Sequence, residues 1–459
     1  MSVKQKRSRG WVAAGLLVLN SAAAAAAVTV DEAIRAALDA SPDLQAVEAR
    51  VDAARAMQRQ ARSAYYPWVD VSTQYGISDN PPQAFMMTLN QRQLNMQDPA
   101  FNPNQPDDTE NLRGSVALKW RLYDSGRRGA DNRMAGLGAE AAGEMLSAAR
   151  NQLIHEVTRG CHGALQARAF AAVQEEAVAS IEASLRAANA RFEAGSAVKT
   201  DVLNLETQLA QAREDLIRAR NGLLLAVAAL NTAIGRDLVT EDNLEEGAEP
   251  PEEKCAAPDP SAVENRPELA AARRMVRVRE QALSKARREY GPALNAFASS
   301  DWDSDASSDF EQSYTVGVMA ELNVFDGFRS RGAVAAARAE LDAARAEEAK
   351  AERNLRLDLT QAYLGAKEAH ERMEVTRKSL ESAREALRIT REQYEQGAAD
   401  VALLLQAQVG VTAMRTRAVA AEYDTSPRGR TSTGRWGSWW GGISMDQRRT
   451  EHEQARFAD

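Results

Sequence analysis

Leu122-Tyr123-Asp124-Ser125-Gly126-Arg127 and, further on, Arg191-Phe192-Glu193-Ala194-Gly195 recur as Val324-Phe325-Asp326, with Arg329 nearby, and Gln393-Tyr394-Glu395-Gln396-Gly397. Tyr123 to Phe325 and Gly195 to Gly397 both measure 202 residues, so the long stretch between these landmarks holds no net insertion. One added residue rotates everything beyond it in a helix by about 100°. Constant spacing is therefore what long, packed helices require. Upstream, Ser41-Pro42-Asp43-Leu44 recurs as Arg266-Pro267-Glu268-Leu269 and Tyr65-Tyr66-Pro67 as Tyr290-Gly291-Pro292, both displaced by 225 residues. The two offsets differ by 23 residues, all of which fall between the proline and the aspartate of each copy. Loops tolerate insertions, so the evenly spaced stretches are expected to be helical and the extra residues to lie in an exposed connection.

Apolar residues at Val202, Leu205, Leu209, Ala212, Leu216, Ala219, Leu223, Ala226, Leu230 and Ala233 alternate steps of three and four, the heptad seam of a coiled coil. The second copy repeats it at Leu404, Ala407, Val411, Met414, Ala418 and Ala421. Between the helices the period becomes two. Val69, Val71, Thr73, Tyr75 and Ile77 form one row, Leu112, Val116, Leu118, Trp120 and Leu122 a second, and Tyr314, Val316, Val318, Ala320, Leu322 and Val324 a third; Leu294 to Trp302 alternates only weakly. Strands of roughly ten residues with one apolar and one polar face suit a transmembrane barrel, although a half-buried hairpin in a soluble protein shares the pattern. Four strands cannot close a barrel, since about eight is the smallest number seen, and lipid tolerates no open edge. If the strands span a membrane, several chains must pool them.

The totals agree with an exported helical protein. The 459 residues carry a net charge of −8, which argues against a nucleic-acid partner because such proteins present a basic face to phosphate. Lys4, Lys6, Arg7 and Arg9 precede the apolar run Trp11 to Leu19 and then Ala22 to Ala27, the layout of a secretory signal peptide over residues 1–27. No later stretch is apolar enough to span a membrane as a helix. Cys161 and Cys255 are too few and too far apart for a disulfide framework. His155 and His162, seven residues apart beside Cys161, sit roughly 10 Å apart by helical rise, too far to share a metal without other ligands; their counterparts Leu357 and Leu364 mark packing positions. Met86, Met87 and Met96 lie in an uncharged loop and imply no copper site. No nucleophile and base occur at usable spacing, so no enzyme, cofactor or metal is expected.

Tyr65-Tyr66-Pro67, Trp120-Arg121-Leu122-Tyr123-Asp124-Ser125-Gly126-Arg127-Arg128, and Gly195 followed by Asp201-Val202-Leu203 resemble the TolC family of outer-membrane efflux proteins. The likeness covers about Val28 to Asp424. It implies a mainly α fold with transmembrane β: long antiparallel coiled-coil hairpins and four strands per chain, pooled in a homotrimer into a 12-stranded barrel and a helical tunnel. It further implies an exit duct in the bacterial outer membrane, its helices in the periplasm and its strands against lipid. The partners implied are a periplasmic adaptor (membrane fusion) protein and an inner-membrane pump of the RND or ABC type, as in a tripartite efflux pump or type I secretion system.

Repeat 1 is expected over 28–240 and repeat 2 over 263–424, with a proline- and acid-rich equatorial connector over 241–262 and an extracellular loop over 79–110. In this family the periplasmic mouth closes near the turn after the glycine. The matching residues are Gly195, Asp201 and Asn204 in copy one. In copy two Gly397 is followed by Leu403 and Gln406 at those positions and by an acid only at Asp400. Asp201 also suits a first-turn acid favoured by the helix dipole. After Asp424 the seam fails: Thr425, Arg428, Ser432 and Arg435 stand where apolar residues belong. Residues 425–459 thus read as a divergent tail, consistent with a frameshift that shortens the last helix. The competing function is an exported coiled-coil scaffold or adaptor without a pore.

Overall fold

The computed structural model describes residues 28–97, 102–235, 237, 239–240, 243–245, 261–305, 307 and 309–432. The expected signal peptide, most of the connector with Cys255, and the tail beyond 432 lie outside the described residues.

The two copies appear as the offsets require. Helix α1 is Val30–Ala40, α2 is Pro42–Ser63, β1 is Trp68–Ser78, α3 is Pro81–Asn90, β2 is Thr109–Tyr123, α4 is Arg127–Glu193 and α5 is Lys199–Ile234. A single turn, α6 (Ser261–Glu264), precedes the second copy: α7 (Pro267–Arg287), β3 (Ala293–Ser304), β4 (Glu311–Glu321), α8 (Arg329–Glu395) and α9 (Val401–Ser432). Helices α4 and α8 each have 67 residues and begin and end at the 202-residue offset, about 100 Å at 1.5 Å per residue. Helices α2 and α7 both start at the repeated proline, pre-organised for the first helical turn, and Ser41 Oγ caps α2 by accepting from the Leu44 amide. Among the described residues no helix is long and apolar enough to cross a membrane.

Four details differ from what the sequence predicts. The stretch between β1 and β2 contains a helix, α3, where a polar loop was expected. Strand β3 runs the full Ala293–Ser304 despite its weak alternation, whereas β4 stops at Glu321, short of the alternation through Val324. Helix α9 continues to Ser432, eight residues beyond the point where the seam fails.

The contacts divide the chain into two compact units. One comprises the described parts of 1–40, 157–251 and 379–423, and the other those of 41–156, 252–378 and 424–459. In the first, α1 packs on α5, and Val28 pairs in parallel with Leu244 through Val28 N–H to Asn243 O (2.6 Å) and Glu245 N–H to Val28 O (3.1 Å). Every residue of the α5 seam is buried or half-buried. The second unit holds an antiparallel sheet of order β1-β2-β3-β4. Its two hairpins are joined by β2 pairing with β3, Leu112 opposite Ser304 and Trp120 opposite Ala296. Strands β1 and β4 are left as unpaired edges.

Candidate functional site

Register sorts the sheet's side chains because successive residues point to opposite faces. One face carries Val69, Val71, Tyr75 and Ile77 of β1, Leu112, Val116, Leu118 and Trp120 of β2, Leu294, Ala296, Ala298 and Trp302 of β3, and Tyr314, Val316, Val318 and Ala320 of β4. This face is uncovered: Val71 is 78% exposed and Tyr314 79%. Its small residues on β3 explain why that strand's period was faint.

The opposite face also carries Trp68, Ala117, Phe297 and Met319 but is otherwise mostly polar, and its charged groups pair. Lys119 Nζ lies 3.6 Å from Asp70, Ser115 Oγ donates to Asp301 (2.6 Å), and Arg113 Nε donates to Asp303 (2.8 Å). At the end from which the helices spring, exposed aromatics cluster: Tyr66, Trp68, Tyr123, Tyr290, Phe325 and Phe328. Amphipathic rings there suit the boundary between hydrocarbon and water. The sequence reading used several of these residues as landmarks without assigning them this role.

Both long hairpins turn by the same device. Gly195 and Gly397 adopt φ of +72° and +75°, a left-handed conformation that glycine takes without a Cβ penalty. The Gly195 amide donates to Phe192 O (2.9 Å) and the Ser196 amide to Arg191 O (2.8 Å). The second copy repeats this with Gly397 to Tyr394 O (3.1 Å) and Ala398 to Gln393 O (2.8 Å).

The turns share one core, in which Val202, Leu205, Leu209 and Ala212 of α5 meet Tyr394, Val401 and Leu404. The structure therefore brings the two halves of the expected mouth together. Asp201 sits half-buried in the first turn of α5, and its carboxylate makes no ion pair among the described residues; Asn204, Leu403 and Gln406 are exposed. Asp400 is the N-cap of α9, its carboxylate accepting from the Leu403 amide (2.9 Å), so its local task is capping.

What the residue-by-residue match missed is a clasp between the copies. Arg191 donates to Tyr394 O (2.7 Å) and to Glu395 O, and its guanidinium lies 4.9 Å from the Tyr394 ring centroid. The last carbonyls of α8 have no donor within the helix and lie at the negative end of its dipole, which attracts a cation. The available signal was the asymmetry of Arg191 against its counterpart Gln393.

The metal candidates do not converge, for no group of three potential ligands occurs among the described residues. Cys161 is a free, buried thiol whose pKa burial pushes up to about 12, an inert packing residue. His155 and His162 are half-buried, and their counterparts Leu357 and Leu364 are 55% and 56% exposed in the single chain.

Residues 33–236 and 260–427 match the protein family described as outer membrane efflux protein. Protein CyaE of Bordetella pertussis is 27% identical over 398 residues, covering 84% of this chain and 79% of that protein. Outer membrane protein TolC of Escherichia coli is 25% identical over 209 residues, 44% of this chain and 40% of its own length. A solved membrane protein from Pseudomonas aeruginosa shares the fold with a TM-score of 0.78 at 22% identity, over 88% of this chain and 92% of that one.

Proposed function

Because the chain belongs to the outer membrane efflux protein family, a family of outer-membrane exit channels rather than enzymes, we propose that three copies close one barrel of twelve strands through the free edges of β1 and β4. The observation that carries this reading is the sheet itself, with an uncovered apolar face, a paired polar face and two open edges. A lone copy would leave those edges unsatisfied in lipid, where each unpaired backbone group costs several kcal/mol. The exposed Leu357 and Leu364 on α8 support the same assembly, as helix surface awaiting a neighbouring copy.

In this reading the helical turns form the periplasmic entrance. A periplasmic adaptor protein and an inner-membrane pump of the RND or ABC class deliver cargo to it. Arg191 ties the two turns of one chain shut, and Asp201 and Asn204 face the neighbouring copy. Asp400 serves α9 as a cap, so any acidic ring at the mouth comes from copy one.

Membrane fractionation and planar-bilayer recording test the assembly. A trimer in the outer-membrane fraction with discrete conductance is expected, and a soluble, non-conducting protein would favour the scaffold without a pore. Arg191→Ala and Asp201→Ala should each raise single-channel conductance while Gln393→Ala should not. Unchanged conductance in both would remove these residues from the mouth.

A further inference from the structure

Repeat 1 carries between its strands a helix that has no counterpart among the described residues of repeat 2, and the residues after it grip the sheet. Gln91 Nε2 donates to Glu110 O (2.6 Å) and Asn111 Oδ1 (2.9 Å) on β2. Arg92 pairs with Glu311 on β4 (3.1 Å) and donates to Gln312 O (3.3 Å). Gln93 donates to Asp305, just past β3 (3.0 Å). Asn111 in turn donates to Asp303 (2.7 Å), which also holds Arg113. Gln91, Asn111 and Asp303 are all buried. Arg92 sits at φ +54°, a conformation uncommon for a residue with a Cβ and one that persists where surrounding contacts over-determine it.

Every strand side chain involved belongs to the polar face. Ser78 Oγ donates to Gln83 of α3 (3.2 Å), and a Cβ added at Gly76 would lie 3.9 Å from Met87 Cε. Asn111, Asp303 and Glu311 share that face by register. Helix α3 and its clasp thus touch β1, β2 and β4 from one side only, at the end remote from α2, α4, α7 and α8.

We infer that α3 with Gln91, Arg92 and Gln93 is a lid inside the outer end of the barrel that narrows the exit and sets which solutes pass it. The inference rests on the barrel reading, in which the polar face lines the lumen and this end opens outside the cell. The excess length of repeat 1 then has a use: it crosses the inner wall from β1 to β4, so each copy carries one lid across the whole arc of wall it contributes.

The test is thiol labelling from outside intact cells, with the full chain lacking Cys161 and Cys255 and a bulky, membrane-impermeant maleimide as probe. Ser72→Cys lies on the polar face and Val71→Cys on the apolar one. Ser72→Cys should label slowly with the lid intact and about fivefold faster with Arg92→Ala, the order expected when an exposed ion pair and an adjoining hydrogen bond are lost. Arg92→Glu combined with Glu311→Arg should restore the slow rate. Gln93→Ala, which leaves the buried Asp303 network intact, should give a smaller rise and serves if the Arg92 variant fails to fold. Equal labelling of Val71→Cys and Ser72→Cys would overturn the barrel reading. Selective labelling of Ser72→Cys at a rate indifferent to both Arg92→Ala and Gln93→Ala would leave the barrel standing and overturn the lid.

Discussion

Repeats 1 and 2 match in α4 and α8, which start and stop at corresponding residues, and differ in what joins their strands, 79–108 in one and 305–310 in the other. The helical part cannot drift, because an unmatched residue would rotate a packed face away from its partner. The strand connection faces no such demand, and length accumulated there. The same contrast holds within single positions. Asp124 and Asp326 occupy equivalent sites and accept from equivalent amides, Arg128 N–H and Ser330 N–H, both at 2.9 Å. Around Asp124 the first copy builds a buried arginine site: Arg128 Nε lies 3.3 Å from the carboxylate without donating to it, and its Nη atoms bond Arg121 O (2.6 Å) and Leu122 O (2.9 Å). The second copy has instead the hydroxyl of Ser330 and the exposed Arg329, whose Nε lies 3.9 Å from the carboxylate.

Substitutions at equivalent positions can break this comparison. The largest effect is expected from a charge on the apolar face. Val116→Arg and Val318→Arg should each destabilise the inserted protein by about 2–4 kcal/mol, while Ala117→Arg and Met319→Arg on the polar face cost far less; unfolding in lipid vesicles measures all four. Equal costs on both faces would end the equivalence of sheet and barrel wall.

Next, Asp124→Ala should cost about 3 kcal/mol, because it strands a largely buried guanidinium, whereas Asp326→Ala should cost about 1 kcal/mol, the loss of a cap. Denaturant titration would show the gap, and its absence would mean that the arginine site adds nothing. Gly195→Ala and Gly397→Ala should each cost about 1–2 kcal/mol for a Cβ in a left-handed turn, alike in the two copies. Unequal losses would mean that one turn is held by contacts the other lacks.

The smallest effect concerns acid. The Ser330 hydroxyl and amide hold the Asp326 carboxyl below its ordinary value, helped by Arg329. A depressed folded pKa stabilises above the unfolded value and loses that contribution as pH falls through the folded one. The second copy's helix start should therefore loosen below about pH 4, and Ser330→Ala should flatten that pH dependence in hydrogen exchange.

Much of this architecture was legible because it rests on period and spacing. The seam from Val202 to Ala233 lies where heptads put it, and the rows through Val71 and Val116 became β1 and β2. Strand β3 was faint because Ala296, Ala298 and Ser300 supply little apolar contrast, and pairing with β2 and β4 sets its length. Helix α3 was invisible in a loop rich in Asn, Gln and Pro, since what holds it is contact with residues more than two hundred positions away. Gly195 and Asp201 could be read as turn and first-turn acid, yet the clasp made by Arg191 depends on Tyr394 and Glu395 in the other copy. The acid of Asp400 was legible and its capping task was not, because it depends on where α9 begins.

The pairing of Val28 with Leu244 bears on the order in which the chain can acquire its form. Residue 28 finds its partner only after more than two hundred further residues have emerged, so the first residue of repeat 1 is fastened by the connector that follows that repeat. That closes repeat 1 before most of repeat 2 is available. The sheet must wait longer, because β2 meets β3 only when residues beyond 293 appear, and distant pairings of this kind form slowly. For that interval the first hairpin stands with its apolar face bare and both edges open, which makes it the point where a holding chaperone is most needed and where aggregation would begin.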